Sequence, residues 1–192
     1  MGLEKGNQAL PDQARCNQVS RPALPRARVL ATALTLSAAG FATWMGSEGF
    51  TSTAVIPTKG DVPTIGYGST RYEDGTRVKL GDTITRQRAE QLARNLLRKD
   101  EQALAKSIPG VPLYQEEFDL YLDFIGQYGI TNWNNSTMRR ELLARDYVAA
   151  CSALLRYKYA AGYDCSTPGN QRCWGVWQRQ LKRYSDCMQA QK

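Results

Sequence analysis

A stretch from Ser47 to Thr70, SEGFTSTAVIPTKGDVPTIGYGST, concentrates the residues able to do chemistry. It holds Glu48, Asp61, several hydroxyls and four glycines in a short segment without helical periodicity. An apolar run precedes it and a long helical pattern follows. A carboxyl at the end of an apolar element acquires a raised pKa when burial disfavours its charged form. A polar, glycine-punctuated loop facing it can hold a second carboxylate and a water. Such a pair suits acid/base hydrolysis of a glycosidic bond. The plainer alternative is a capped helix end followed by a surface β-hairpin.

Composition narrows the chemistry. The chain has no histidine, which excludes Ser-His and Cys-His nucleophiles and histidine metal sites. Acid/base work therefore falls to carboxyls, Tyr, Lys or Cys. A net charge of +7, spread along the chain, favours anionic partners. No zinc-finger, homeodomain or RNA-binding signature accompanies it, so nucleic acid is not expected as a partner. The 192 residues suffice for one domain or two small lobes.

The elements that must position Glu48 begin upstream. Residues 1–28 are polar, with Pro11, Pro22 and Pro25, and read as a disordered tail. Arg21, Arg26 and Arg28 then precede an uncharged run, Val29 to Gly46, that reaches the lower limit for a membrane span. Its Ala, Thr, Ser and Gly content makes it weakly hydrophobic. Basic residues before it predict a cytoplasmic tail and an exported body. Three readings compete: a signal peptide cleaved after Ala39 or Ala42, a buried first helix, or an anchor that leaves the bilayer again.

Downstream, Ala54 to Lys79 reads as two or three short strands with tight turns, Glu73-Asp74-Gly75 being a solvated tip. Gly66 and Gly68 flank Tyr67 and leave backbone open to a ligand. Thr85 to Lys106 is the clearest helix, with Thr85 as N-cap, and Ser107-Ile108-Pro109-Gly110 ends it. Gln115 to Ile125 is a second helix, closing at Gln127-Tyr128-Gly129. Ser136 and Asp146 start two more, and a last helix runs from about Trp174 to Met188. Trp133, Trp174 and Trp177 suit sugar stacking, yet core packing accounts for most tryptophans, and none is assigned to substrate.

GDVPTIGYGST, with Glu48-Gly49 upstream, resembles the active-site signature of the phage-type lysozymes, glycoside hydrolase family 24. The resemblance spans about Glu48 to Met188. It implies an α+β, mainly α, two-lobed fold (residues 47–192) with a small β-hairpin region and a long interlobe helix, at Thr85 to Lys106. It implies hydrolysis of the β-1,4 bond between N-acetylmuramic acid and N-acetylglucosamine in peptidoglycan during phage lysis, without cofactor or metal, by a monomer. Glu48 is then the general acid, Thr64 holds the attacking water, and Gly66, Tyr67, Gly68 and Gln127 contact substrate. The run 29–46 resembles the signal-anchor-release segment of lambdoid endolysins, implying transient residence in the host inner membrane and then the periplasm. While the run is in lipid, Glu48 is held away from substrate.

The match departs from the family at the second carboxylate. The family usually places Asp six residues before the Thr, and Thr58 stands there. Asp61 is the only Asp between Glu48 and Thr64. Either Asp61 serves as base or Thr58 polarises the water weakly. A third option is a lytic transglycosylase, in which the sugar's own hydroxyl attacks and no external base is needed. A catalytically inactive wall-binding module is the non-enzyme alternative. Four cysteines of the body permit three pairings. We favour Cys151–Cys187 and Cys165–Cys173. Similar phage lysozymes carry a pair at places like the first. The spacings lack a CxxC, which disfavours zinc, and Cys16 is left over.

Overall fold

The computed structural model describes residues 26–58 and 60–192. Cys16 and most of the polar tail lie outside the described residues. The elements are β1 (Val29–Leu30), α1 (Ala38–Glu48), β2 (Thr51–Val55), β3 (Thr64–Gly66), α2 (Arg86–Ser107), β4 (Pro112–Leu113), α3 (Gln115–Asn134), α4 (Thr137–Leu143), α5 (Tyr147–Ala153), β5 (Tyr159–Ala160), β6 (Tyr163–Asp164) and α6 (Trp174–Gln189). The fold is mainly helical. Its three two-stranded antiparallel sheets pair β1 with β4, β2 with β3 and β5 with β6.

Two apolar cores define two lobes. The smaller gathers Phe41, Ala54, Ile65, Tyr67, Val78 and Ile84 around Ala89, Leu92, Ala93 and Leu97 of α2. The larger gathers Phe118, Tyr121, Phe124, Trp133, Met138 and Leu142 around Leu104 and Ala105 of the same helix. At 1.5 Å per residue, the 22 residues of α2 span roughly 33 Å, enough to serve both cores. Thr85 caps it by accepting the Arg88 N–H at 3.2 Å. Ser136 and Asp146 cap α4 and α5 in the same way. Gly129 interrupts α3 with φ 80° and ψ 157°, at the place where the sequence closes its second helix. Disulfides join Cys151 to Cys187 and Cys165 to Cys173.

The uncharged run 29–46 does not form one helix. Val29 and Leu30 pair with Leu113 and Pro112, and Ala31–Ala33 make a 3-10 turn. Ser37 then caps α1, accepting the Gly40 N–H while donating its own N–H and hydroxyl to Asp119. Ala31 enters the larger core and Phe41 the smaller. Among the described residues no helix is long and apolar enough to cross a membrane.

The turn at Glu73-Asp74-Gly75 forms, but Glu73 is not a merely solvated tip. Its carboxylate accepts both Arg88 Nη atoms, at 2.7 and 2.8 Å, and Asn95 Nδ2 at 2.9 Å. These bonds, Arg88 first, hold its pKa at about 2 instead of 4.5 and tie the hairpin to α2. A depressed folded value adds stability above the unfolded value and loses it as pH falls through the folded one. Glu73→Gln is therefore expected to cost no more than about 1 kcal/mol at pH 7, since solvent screens the pair. Urea melts should show that gap closing between pH 4.5 and about 2. A gap unchanged with pH would refute the assignment.

Candidate active site

Glu48 is the last residue of α1, and Gly49 follows with φ 72° to turn the chain into β2. Opposite it stands the hairpin tip Gly66-Tyr67-Gly68. Ile65 and Ser69 exchange both backbone hydrogen bonds at 3.0 Å, so the chain reverses within three residues. Gly66 and Gly68 supply the positive φ values, 65° and 78°. A Cβ on Gly66 would lie 2.9 Å from the Ala89 Cβ, so the tip packs tightly on α2. A Cβ on Gly68 would lie 3.7 Å from Glu48 Oε2, so bare backbone faces the carboxylate.

From the other lobe, Arg179 of α6 donates from Nη2 to Glu48 Oε1 at 3.4 Å and to Asp123 Oδ1 at 2.6 Å. Arg183 donates to Asp123 Oδ2 at 2.7 Å and to Gln127 Oε1 at 2.7 Å. Burial opposes the charge on Arg179. The hydrogen bond and charge of Asp123, with a smaller share from Glu48, outweigh it and hold the guanidinium above its ordinary range. Glu48 thus differs from the apolar setting expected of it. Its side chain is 29% exposed and borders a fixed positive charge. The physical reason is that α1 ends where the lobes meet, within reach of the charged face of α6.

The other expected residues separate into wall, turn and strand. Tyr67 is buried at 5% exposure, ringed by Phe50 and Trp44, with its hydroxyl accepting from Arg86 at 3.1 Å. It shapes the lobe and also lines the pocket beside Gly68. The Gln127 oxygen accepts from Arg183, and no acceptor among the described residues takes its NH2. Thr64 opens β3 opposite Val55, to whose carbonyl its hydroxyl donates at 3.4 Å. Thr58 and Asp61 close a turn, the Asp61 N–H donating to the Thr58 carbonyl at 2.9 Å. The Asp61 carboxylate is exposed and accepts the Val62 N–H at 2.8 Å. An irregularity in the β2–β3 pairing takes up extra length, four steps from Thr51 to Val55 facing two from Thr64 to Gly66.

The sequence reading missed Arg179 and Asp123. Their signal was a charged residue amid the apolar pattern of α3, and two arginines one helical turn apart on α6. It also left Trp44 inside the apolar run, whereas its ring borders a pocket of about 190 Å³ together with Gly68. A larger cavity, about 520 Å³, lies between α1, α3 and α6, with Ser47 and Arg179 on its wall. Among the described residues no group of three or more Cys, Asp or Glu is placed to hold a metal ion.

The same framework recurs in known proteins. The chain is 36% identical over 99 residues to the endolysin of Salmonella phage P22, a match covering 52% of this chain and 67% of the relative. It superposes on the endolysin of Escherichia coli O157:H7 phage FAHEc1 with a TM-score of 0.69 and 28% identity, over 81% of this chain and 94% of the other. A mutant of P22 lysozyme gives 0.67 and 28%, over 81% and 99%. The phage lysozyme family model matches residues 45–185, from the last turn before Glu48 to beyond Arg183. With a glutamate closing the first helix, a glycine hairpin facing it and a long helix joining two lobes, this chain belongs to the phage lysozyme family.

Proposed function

We propose that this chain is an endolysin that hydrolyses the β-1,4 bond between N-acetylmuramic acid and N-acetylglucosamine in peptidoglycan. The observation carrying this reading is Glu48 at the lobe junction, facing the bare backbone of Gly68. Glu48 donates its proton to the leaving glycosidic oxygen. As the carboxylate forms, the Arg179 guanidinium at 3.4 Å stabilises its charge. Water held at Thr64 attacks the anomeric carbon, and Asp61, or more weakly Thr58, takes its proton. Asp61 is already bonded to its own turn, which is the one observation favouring a lytic transglycosylase instead. Mass spectrometry of digested walls separates the two. Hydrolysis leaves reducing ends, whereas anhydro-muramic ends would establish transglycosylation. A zymogram without clearing would leave a wall-binding module.

The run 29–46 adds regulation to this reading. Ala31 is 2% and Phe41 1% exposed inside the two cores. The run cannot occupy the bilayer and the cores together, so membrane residence and a complete site exclude each other. Its uncharged composition after Arg26 and Arg28 supports export to the host inner membrane, followed by release into the periplasm. Replacing residues 29–46 with a strongly hydrophobic anchor is expected to yield an exported, inactive enzyme. Normal lysis by that chain would end the idea.

A further inference from the structure

We propose that Asp123 is a positioning residue for the reaction: with Arg183 it forms a neutral pair that holds the Arg179 guanidinium at the edge of Glu48 and sets how much positive charge the acid meets. The inference rests on the hydrolase reading above and deepens it, assigning control of the acid's proton to residues of the other lobe.

One nitrogen carries the link. Arg179 Nη2 has two protons, one directed to Glu48 Oε1 at 3.4 Å and the other to Asp123 Oδ1 at 2.6 Å. The shorter contact is to Asp123, so the arginine is anchored on α3 and only leans on Glu48. Without that anchor, a long side chain with many rotamers would turn to the carboxylate left to it, Glu48.

Asp123 divides its oxygens between two arginines. Oδ1 accepts from Arg179, and Oδ2 accepts from Arg183 Nε at 2.7 Å. Arg183 also donates to the Asp123 carbonyl at 3.2 Å and to Gln180 Oε1 at 3.1 Å. It is 4% exposed, so salt screens this pair little. Like charges one turn apart on a helix repel, and Asp123 stands between Arg179 and Arg183. Burial pushes the Arg183 guanidinium down from its ordinary range, and the Asp123 charge opposes that push.

The charges then count simply. Asp123 and Arg183 cancel, and Arg179 keeps one positive charge for Glu48. A general acid must hold its proton until the leaving oxygen takes it, whereas a nearby cation favours the ionised form. Asp123→Asn leaves two cations beside the acid. Arg183→Met leaves Arg179 matched by Asp123. The two changes therefore act on the acid in opposite directions. The other elements around Glu48 add little charge to this balance. The rest of α1 and all of β2 are uncharged, and the hairpin tip presents the backbone of Gly68. On α2, Arg86 is bonded to the Tyr67 hydroxyl, and Asp100 borders the pocket beside Gly68. All of these stay in place in every variant.

The test follows release of sugar ends from one batch of purified walls, from acid to alkaline pH at constant ionic strength. Titration of the walls themselves is then common to all chains. The alkaline limb of kcat/KM is expected to move down by roughly one pH unit in Asp123→Asn and up in Arg183→Met. The double variant, which removes both charges together, should return it close to the parent. Replacing both partners of a buried pair is also milder on the fold than removing one. Should either single variant melt below the assay temperature, Arg179→Met replaces it. That change strips the charge Asp123 directs, leaves the Asp123–Arg183 pair whole, and should move the limb up. An unmoved limb in Arg179→Met overturns the proposal. So do unmoved limbs in both single variants, or limbs moved the same way, which a general loosening of the junction would produce. In each of those cases Glu48→Gln stays inactive and the hydrolase reading stands. That reading fails separately, if the Glu48→Gln chain still cleaves walls.

Discussion

Glu48→Gln is expected to lower the rate of wall cleavage by about 10²–10⁴-fold, the usual contribution of a positioned general acid. The amide has the size of the carboxyl but no proton to give to a leaving oxygen. The fold should survive the change. Glu48 sits at the lobe junction outside both cores, and the bond Arg179 makes to it, 3.4 Å, is longer than the one it makes to Asp123, 2.6 Å. Thermal melting of the variant should therefore track the parent closely. Release of sugar ends from purified walls is the measurement, and residual activity within tenfold of the parent would remove Glu48 from the chemistry. Comparing Asp61→Asn with Thr58→Ala in the same assay shows which turn residue serves the water.

Arg28→Ala is expected to be the most destabilising single change outside the cores. Arg28 forks onto Glu117, Nε at 3.0 Å and Nη2 at 2.9 Å, and donates to Gln191 as well. Its guanidinium lies 4.2 Å from the Tyr114 ring centre and 3.6 Å from that of Tyr147. Glu117 is 1% exposed. Removing Arg28 leaves the buried Glu117 carboxylate with only the Tyr114 N–H and the Gln191 amide as partners and no countercharge, at a cost of about 3–5 kcal/mol. For a chain of this size that is a fall of roughly 6–20 °C in Tm. Arg28→Lys should recover only part, since it loses both the fork and the stacking. Arg28→Met combined with Glu117→Gln should recover more, because no charge is then buried alone. A melt of Arg28→Ala within about 1 kcal/mol of the parent would contradict the clamp.

The clamp bears on the proposed release from the membrane. Arg28 is the residue immediately before the uncharged run, and under the membrane reading it stays on the cytoplasmic side. In the folded chain the same guanidinium neutralises Glu117. Refolding of the run is then completed by an ion pair that membrane residence forbids. Weakening the clamp should slow the gain of activity after release.

How much was legible from residues alone follows from the range over which each signal acts. Capping is local chemistry, so Thr85, Ser136 and Asp146 marked their helices correctly. Helical periodicity identified the inward face of α2, and the glycines around Tyr67 identified a reversal needing positive φ. The family signature from Glu48 to Thr70 pointed to the lysozyme fold. The preferred disulfides are the ones formed.

Other features were decided only in three dimensions. Periodicity says which side of a helix is inward, but not which element it meets. Arg179 reaches Glu48 across 131 residues of sequence, and no local pattern encodes that meeting. Weak hydrophobicity in residues 29–46 fits a marginal membrane span and an ordinary packed segment equally well, because both bury apolar atoms. Only the folded chain shows that segment broken into strand, turn and helix and shared between two cores. A tyrosine between two glycines looks open from sequence, yet close packing of the hairpin on α2 buries its ring. Asp100, partway along α2, is half-buried and borders the pocket beside Gly68. The residues themselves set local geometry and the type of chemistry, while the environment of each ionisable group, and so what it does, came from the packing of distant elements.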